Sequence, residues 1–206
     1  MFKKYFVDPS LLFLLAGNLY CIWYYENHTG GFNTVVWIYW MQSVIIGFFN
    51  FIDLLTIKNY DTTGFKMNNA PVTENNKGCM AWFFLFHYGV FHLAYCIFLM
   101  IQFGIITVDR KFFFLAVAAF LFESLLGFMK HKQIEREIKL NAGTLFFLPY
   151  LRIVPMHLMI LLPAFSGWQP SGIFLALKMV ADILSYALYH HIYSKNVSPG
   201  KGIHIK

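Results

Sequence analysis

The sequence predicts an all-α membrane protein, a polytopic bundle of six transmembrane spans with both termini in the cytoplasm. Three observations predict it. Hydrophobic residues make up 58% of the 206 and charged residues only 13%, with a mean hydropathy of +0.55. A soluble globule carries about 25% charged residues to cover its surface. Six apolar segments reach or approach the roughly 20 residues a helix needs to cross hydrocarbon, and Lys and Arg collect in alternate loops. The 24 Phe, 12 Tyr and 5 Trp are spread from end to end. Collagen, disorder, a secreted disulfide scaffold and a water-soluble enzyme are excluded.

Taken in order, the expected spans cover residues 9–25, 33–57, 79–106, 112–129, 145–165 and 171–193 of a single transmembrane domain, 1–206. The first opens on Asp8-Pro9-Ser10, with a capping Asp and Pro at the first helical position. Lys3 and Lys4 give it a charged start, but no small-residue cleavage site follows, so it reads as a retained span. The third and sixth exceed the bilayer requirement and are expected to tilt or protrude. The fifth carries Pro149, Pro155 and Pro163. Each interior Pro removes a backbone donor and frees a carbonyl one turn earlier, so this helix is expected to kink. Of the connections, 58–77 is polar and rich in Asn, Gly and Thr, and 130–140 (KHKQIEREIKL) alternates in charge and suggests a short helix along the headgroups. No internal repeat is found.

Orientation follows from the bases. Lys3 and Lys4, then Lys58, Lys66 and Lys77, then Lys130, Lys132, Arg136 and Lys139, and finally Lys195, Lys201 and Lys206 put twelve on one side. Arg110 and Lys111 alone face the other. The net charge of +6 and pI near 9.2 therefore belong to short loops and not to a nucleic-acid-binding patch. Cys21, Cys79 and Cys96 fit no metal or disulfide spacing. The lipid bilayer is the implied partner, with other membrane subunits or a second copy of the chain as further ones, and a bacterial inner membrane is the expected location.

Ionisable groups within a membrane are costly and therefore informative. Arg152 and Lys178 are the two bases inside spans, with Asp53, Glu123 and Asp182 as acids and His87, His92 and His157 beside them. Counting at 1.5 Å per residue, Asn50, His87, Glu123, Arg152 and Asp182 lie about 9–17 Å from the cytoplasmic ends of five different helices. His92 and His157 are expected slightly deeper. Helical spacing puts Gln42, Ile46, Asn50 and Asp53 on one face of the second span, and Tyr88, His92, Tyr95, Leu99 and Gln102 on one face of the third.

Any one of these groups is explained as structural glue between helices. Lys178 and Asp182, at i and i+4, can neutralise each other, and Arg152 can pair with Asp182 or Glu123. Taken together, five contributing helices favour a ligand cavity lined by Asn50, His87, His92, Arg152, His157, Lys178 and Asp182.

Several segments resemble one family. FFLFHYGVFHLAYCIFL of the third span, FFLPYLRIVPMHLMILL of the fifth, LALKMVADILSYALYHH of the sixth and YWMQSVIIGFFN of the second are similar to a family of bacterial polytopic membrane proteins defined as a domain of unknown function. The likeness covers most of residues 35–192, and its specific elements are His87-Tyr88, Pro149-Tyr150, Arg152, His157, Lys178 and Asp182. It implies the architecture and no mechanism.

Three functions therefore stay open, and no residue is assigned as catalytic. The leading one is a ligand-binding or accessory membrane subunit. The second is a metal-dependent intramembrane hydrolase, with His87, His157 and Asp182 as the candidate metal ligands and His92 and Glu123 as further ones. His87 and His92, five residues apart, point about 140° apart around their helix and suit one ion poorly, and no HExxH motif exists. The third is a proton-coupled carrier relaying through Asp182, Lys178 and His157. The cofactor is open, with a metal ion as one candidate and a haem held by His92 and His157 as another.

Overall fold

The computed structural model describes residues 9–62, 66–67, 70–71, 73, 76–135, 139–155, 157–158 and 172–195. Among the described residues are the α-helices α1 (Pro9–Asn27), α2 (Gly31–Thr56), α3 (Lys77–Gln102), α4 (Arg110–Glu135), α5 (Ala142–Phe147) and α6 (Gly172–Lys195). A 3₁₀ helix, η1 (Leu148–Arg152), continues from α5. The two-residue strands β1 (Tyr60–Asp61), β2 (Lys66–Met67), β3 (Ala70–Pro71) and β4 (Leu140–Asn141) tie loops together. β1 runs parallel to β4 with Tyr60 opposite Leu140, and β2 is antiparallel to β3. The architecture is all-α.

Helices α2, α3 and α4 are each 26 residues long and apolar enough to cross a membrane. Each extends about 39 Å at 1.5 Å per residue, against a hydrocarbon core of about 30 Å. Their outward residues are large and apolar, among them Phe86, Leu93, Ile101, Phe114 and Leu115. Water would penalise that surface and lipid does not. The chain is a helical multi-pass membrane protein.

Helix α2 is the axis of the bundle and packs against α1, α3, α4, α5 and η1. Its residues Val35, Val36, Ile38, Tyr39 and Leu54 are fully enclosed. α6 packs on α1 and η1, while α4 buries little beyond Phe112 and Glu135 and leaves most of its surface outside.

The ends of the helices have local causes. α3 stops at Gln102, short of the expected Ile106, because Gly104 takes a left-handed conformation with φ of 62°. The amides of Phe103 and Gly104 both return to the carbonyl of Leu99, at 2.9 and 3.1 Å, a glycine C-cap. Side chains of α2 close the same turn: Trp37 Nε1 donates to the Gly104 carbonyl at 2.9 Å and Asn33 Nδ2 to that of Phe103 at 2.6 Å.

α4 begins at Asp109, whose Oδ1 accepts from the Phe112 amide at 3.1 Å. It then runs six residues past the expected Met129, because Lys132 bonds Glu135 at 2.6 Å and Asp53 of α2 at 3.0 Å. The first half of the charged stretch 130–140 thus extends a span and does not start a separate helix. The fifth segment differs from one continuous helix over 145–165. It starts earlier, on the Asn141 cap, where Oδ1 accepts from the Thr144 amide at 2.9 Å. It tightens to η1 around Pro149, and residues 156 and 159–165 of the expected span lie outside the described residues.

Helices α2 and α3 approach each other closely at Gly47. A Cβ there would overlap the ring of Tyr88, so only glycine lets the ring lie on the backbone of α2. Tyr88 then donates its hydroxyl to the Ser43 carbonyl at 3.0 Å, and Trp40 Nε1 donates to the His92 carbonyl at 3.0 Å. Gly47→Ala should lower stability by about 1–3 kcal/mol through overpacking. The loss should shrink when Tyr88→Ala is made in the same chain, as a double-mutant cycle on the thermal transition in detergent measures. Equal losses with and without the Tyr88 ring would refute the contact.

At the other end of α2, Asp109 accepts from the Tyr24 hydroxyl at 2.9 Å and gives its own amide to Thr34 Oγ1 at 3.0 Å. The Phe112 amide, helped by the Tyr24 hydroxyl, holds its carboxyl below the usual carboxylate range. A carboxyl lowered in the folded state stabilises above its unfolded pKa, and that contribution is lost as pH falls through the folded value. The gap in thermal transition between the native chain and Asp109→Asn should therefore be widest at neutral pH and close on acidification. A gap independent of pH would show that the carboxylate makes no such contribution.

Candidate functional site

Several buried polar side chains meet along α2 and α3. Nearest the α1 end of α2 is a charged cluster. Lys178 donates to Asp182 Oδ2 at 2.9 Å and to Asn18 Oδ1 at 2.8 Å, and Asn18 Nδ2 donates to the same carboxyl oxygen at 3.1 Å. The ammonium also stands 5.1 Å from the ring centre of Tyr39 on α2. Lys178 is 2% exposed and Asp182 3%. Burial at that level is tolerated because each charge is paired and further hydrogen-bonded.

One level on, His92 sits in a closed polar knot between α2 and α3. Its Nδ1 bonds the Tyr88 carbonyl and its Nε2 bonds Ser43 Oγ, both at 2.9 Å, and Ser43 Oγ meets the Tyr88 hydroxyl at 2.8 Å. The ring lies stacked on Tyr88 with centroids 4.1 Å apart. Both ring nitrogens are used, one on a carbonyl and one on a hydroxyl, which suits a neutral imidazole donating from Nδ1.

His87 and His157 join α3 to the segment after α5. His87 Nδ1 bonds the Tyr150 hydroxyl of η1 at 2.7 Å, and His157 Nδ1 bonds the Tyr95 hydroxyl at 2.5 Å. Phe91 lies between them, its ring centre 5.1 Å from that of His87 and 5.8 Å from that of His157. Phe83, His87, Phe91 and Tyr95 recur every four residues, so one face of α3 is a ladder of rings. His87 is on the exposed side of that ladder and His92 on the buried side, as their five-residue spacing requires.

Asn50 is different in kind. It is 2% exposed, and among the described residues neither its amide nitrogen nor its amide oxygen has a hydrogen-bond partner. It lies on the buried α2 face that also presents Ser43, Gly47 and Asp53. At the end of that face Asp53, Lys132 and Glu135 form an ion network, which Glu135 Oε1 extends to the Lys58 amide at 3.2 Å.

Of the seven residues expected to line one cavity, the structure brings Lys178 and Asp182 together. His87 and His157 share the ring ladder of α3, and His92 and Asn50 lie elsewhere along α2. The side chain of Arg152 lies outside the described residues, so the expected pairing with Asp182 or Glu123 does too. For the metal candidates His87, His157 and Asp182, the described partners are Tyr150, Tyr95, and Lys178 with Asn18. Among the described residues no group of three or more His, Cys, Asp or Glu is placed to hold one metal ion.

Asn18 and Ser43 are site residues beyond those that depth and charge single out in the sequence. Asn18 is an uncharged polar residue within the otherwise apolar first span, which was the available signal. Ser43 follows Gln42 directly, and the two point about 100° apart. The buried face of α2 runs through Ser43 and Gly47, while Gln42 and Ile46 are half-buried.

The model of a family of unknown function (DUF6498) matches residues 2–198, and the chain belongs to that family. The resemblance read from its spans therefore holds. No curated protein and no solved structure matches the chain.

The cluster of Asn18, Lys178 and Asp182 makes a stability prediction. Asp182→Asn leaves a buried ammonium without its counter-charge and should cost about 3–5 kcal/mol. Replacing both partners, Lys178→Met with Asp182→Leu, should recover most of that loss. Thermal unfolding in detergent measures both. If Asp182→Asn unfolds at the temperature of the native chain, the pair is solvated and the cluster is not what joins α1 to α6.

Proposed function

We propose that this chain is a ligand-binding or accessory subunit of a bacterial inner membrane. It is a six-span bundle with both ends in the cytoplasm, and its ligand site lies in the cytoplasmic half. The observation that carries the reading is Asn50. The neighbouring intramembrane groups on α2 and α3 are satisfied within the protein: His92 by Ser43 and Tyr88, and Asp53 by Lys132. Asn50 is as buried as they are, yet neither end of its amide has a partner among the described residues.

A buried polar group without a partner costs about 1–3 kcal/mol. Such a cost is tolerated where a ligand supplies the missing bonds. An amide offers one acceptor and two donors side by side. It suits a small molecule with a carboxyl, amide or hydroxyl group presented against apolar and aromatic surroundings.

The cytoplasmic placement rests on the twelve-to-two distribution of bases and on where Asn50 lies along α2. It is on the half that ends at Thr56, the end at which Lys58, Lys77 and Lys132 of the base-rich side gather. Lys77 Nζ donates to the Ile57 carbonyl at 2.9 Å, so bases and the end of α2 meet at one surface.

Two measurements test the reading. Asn50→Leu removes the unsatisfied amide, so extensively washed protein should unfold at a higher temperature than the native chain. Mass spectrometry of molecules released from gently purified protein should find a small molecule in the native chain that Asn50→Leu has lost. If the bound molecules are the same in both, the site is not at Asn50. Topology is tested by reporter fusions after Lys77, Lys139 and Lys206, which should report the cytoplasm, and near Gly30 and Gly167, which should report the opposite side. An external report after Lys206 would overturn the proposed orientation.

A further inference from the structure

At one end of the bundle, where α2 and α4 stop and α3 starts, the acids turn inward and the bases outward. Asp53 and Glu135 are buried there, and Lys132 bonds both. Glu135 also accepts the Lys58 amide, and the Leu140 amide donates to the Asn59 carbonyl at 3.2 Å. The pairing of β1 with β4 continues that bond, so the connections after α2 and after α4 form one surface. At this end Lys58, Lys66 and Lys130 are exposed and form no ion pair among the described residues. Asp61 is the exposed acid among the residues described there. The opposite end is balanced: Arg110 and Lys111 are exposed, and so are Glu26 and Asp109.

We infer that this end binds the phosphate groups of anionic phospholipids, taken from the leaflet in which it sits, through Lys58, Lys66 and Lys130. Helices of about 39 Å outreach a hydrocarbon core of about 30 Å, so their ends enter the headgroup layer. Lys58 lies two residues beyond α2. Lys130 lies five residues before the end of α4, at a depth from which a long lysine side chain extends to the headgroups. Met129 and Leu126, next to it and one turn below, are exposed and apolar. Trp82 is 61% exposed five residues into α3, the level at which indole rings collect in membrane proteins. Bases thus stand at the edge of a wall that lipid already covers. A phospholipid matches both features, with its phosphate at the depth of the ammonium groups and its acyl chains along Leu126 and Met129. RNA or an acidic soluble protein would match the charge and leave that wall unmatched. The exposed bases also attract a negative membrane surface together, since each lies within a Debye length of the headgroups. The inference goes beyond the ligand reading, and it depends neither on Asn50 nor on which side of the membrane this end faces.

The test uses the full chain reconstituted into vesicles of phosphatidylcholine containing a small fraction of spin-labelled phosphatidylglycerol or spin-labelled phosphatidylcholine. Electron spin resonance measures how much of each probe the protein immobilises. The native chain should hold phosphatidylglycerol in preference to phosphatidylcholine. Joint replacement Lys58→Gln, Lys66→Gln and Lys130→Gln should lower that preference severalfold, because one base near an anionic surface changes binding about fivefold. The same three positions changed to Arg should keep it. Arg110→Gln with Lys111→Gln, at the balanced end, should leave it unchanged. Salt tests the native chain with no substitution at all. Its preference should decline from about 0.1 M to about 1 M NaCl, as the Debye length contracts from about 10 Å to about 3 Å. Each of four results would overturn the proposal: a native chain without preference, a preference that salt does not move, a triple Gln chain that keeps the native preference, or a preference lost with Arg110 and Lys111 instead. So would a fluorescent RNA oligonucleotide that displaces phosphatidylglycerol from the native chain through the same three lysines.

Discussion

The ring of Tyr88 lying on the bare backbone of Gly47 sets the distance between α2 and α3, and much of the interior is arranged around it. Lipid tails are as apolar as leucine, so helices in a membrane gain little from hydrophobic burial against each other. Close packing and interhelical hydrogen bonds must hold them. The Gly47 contact provides both, because it brings the Tyr88 hydroxyl within reach of Ser43 and aligns His92 to close the knot. From that face α3 turns its ring ladder to η1 and His157. The segment after α5 is thus positioned by side chains whose own positions depend on the α2–α3 spacing.

Polar groups in this protein do two separable things. Most are joints. Lys178, Asp182 and Asn18 tie α6 to α1; His92, Ser43 and Tyr88 tie α3 to α2; Asp53, Lys132 and Glu135 tie α4 to α2 at the base-rich end. Each joint is made of groups that bond one another, as low-dielectric surroundings demand. Such joints also give register, since a helix that slides by one residue loses every bond in its cluster. Asn50 does not belong to this class. There a polar side chain stands where packing alone would favour a hydrocarbon one. That contrast directs the functional reading to Asn50.

The same contrast bears on the histidines. Their depth in the membrane suggests a shared chemical role, but each is held by a different neighbour: Tyr150 for His87, Ser43 and Tyr88 for His92, Tyr95 for His157. Imidazole is large, flat and able to bond at two points, so it suits a helix interface that needs both stacking and a polar tie. Four-residue spacing along α3 makes the rings of Phe83, His87, Phe91 and Tyr95 contiguous, and the hydroxyls of Tyr150 and Tyr95 complete the bonding at either end.

By itself the sequence determined the class of protein, the positions of most helices and the identity of the groups that must be compensated inside a membrane. Those follow from transfer energetics and helical periodicity, which are local: a run such as 112–129 needs lipid whatever it packs against, and Lys178 sees Asp182 through one turn of its own helix. Helix ends depended on partners. Gly104 stops α3 where Trp37 and Asn33 from α2 can take its last carbonyls, and Lys132 extends α4 because Asp53 waits on α2. Which polar group meets which was decided only in three dimensions. The choice between Gln42 and Ser43 as the inward residue of α2 turns on a rotation of about 100°, and the close approach at Gly47 settles it. Asn18 reaches Lys178 across more than 150 residues of chain, and no spacing along one helix could have announced that pairing.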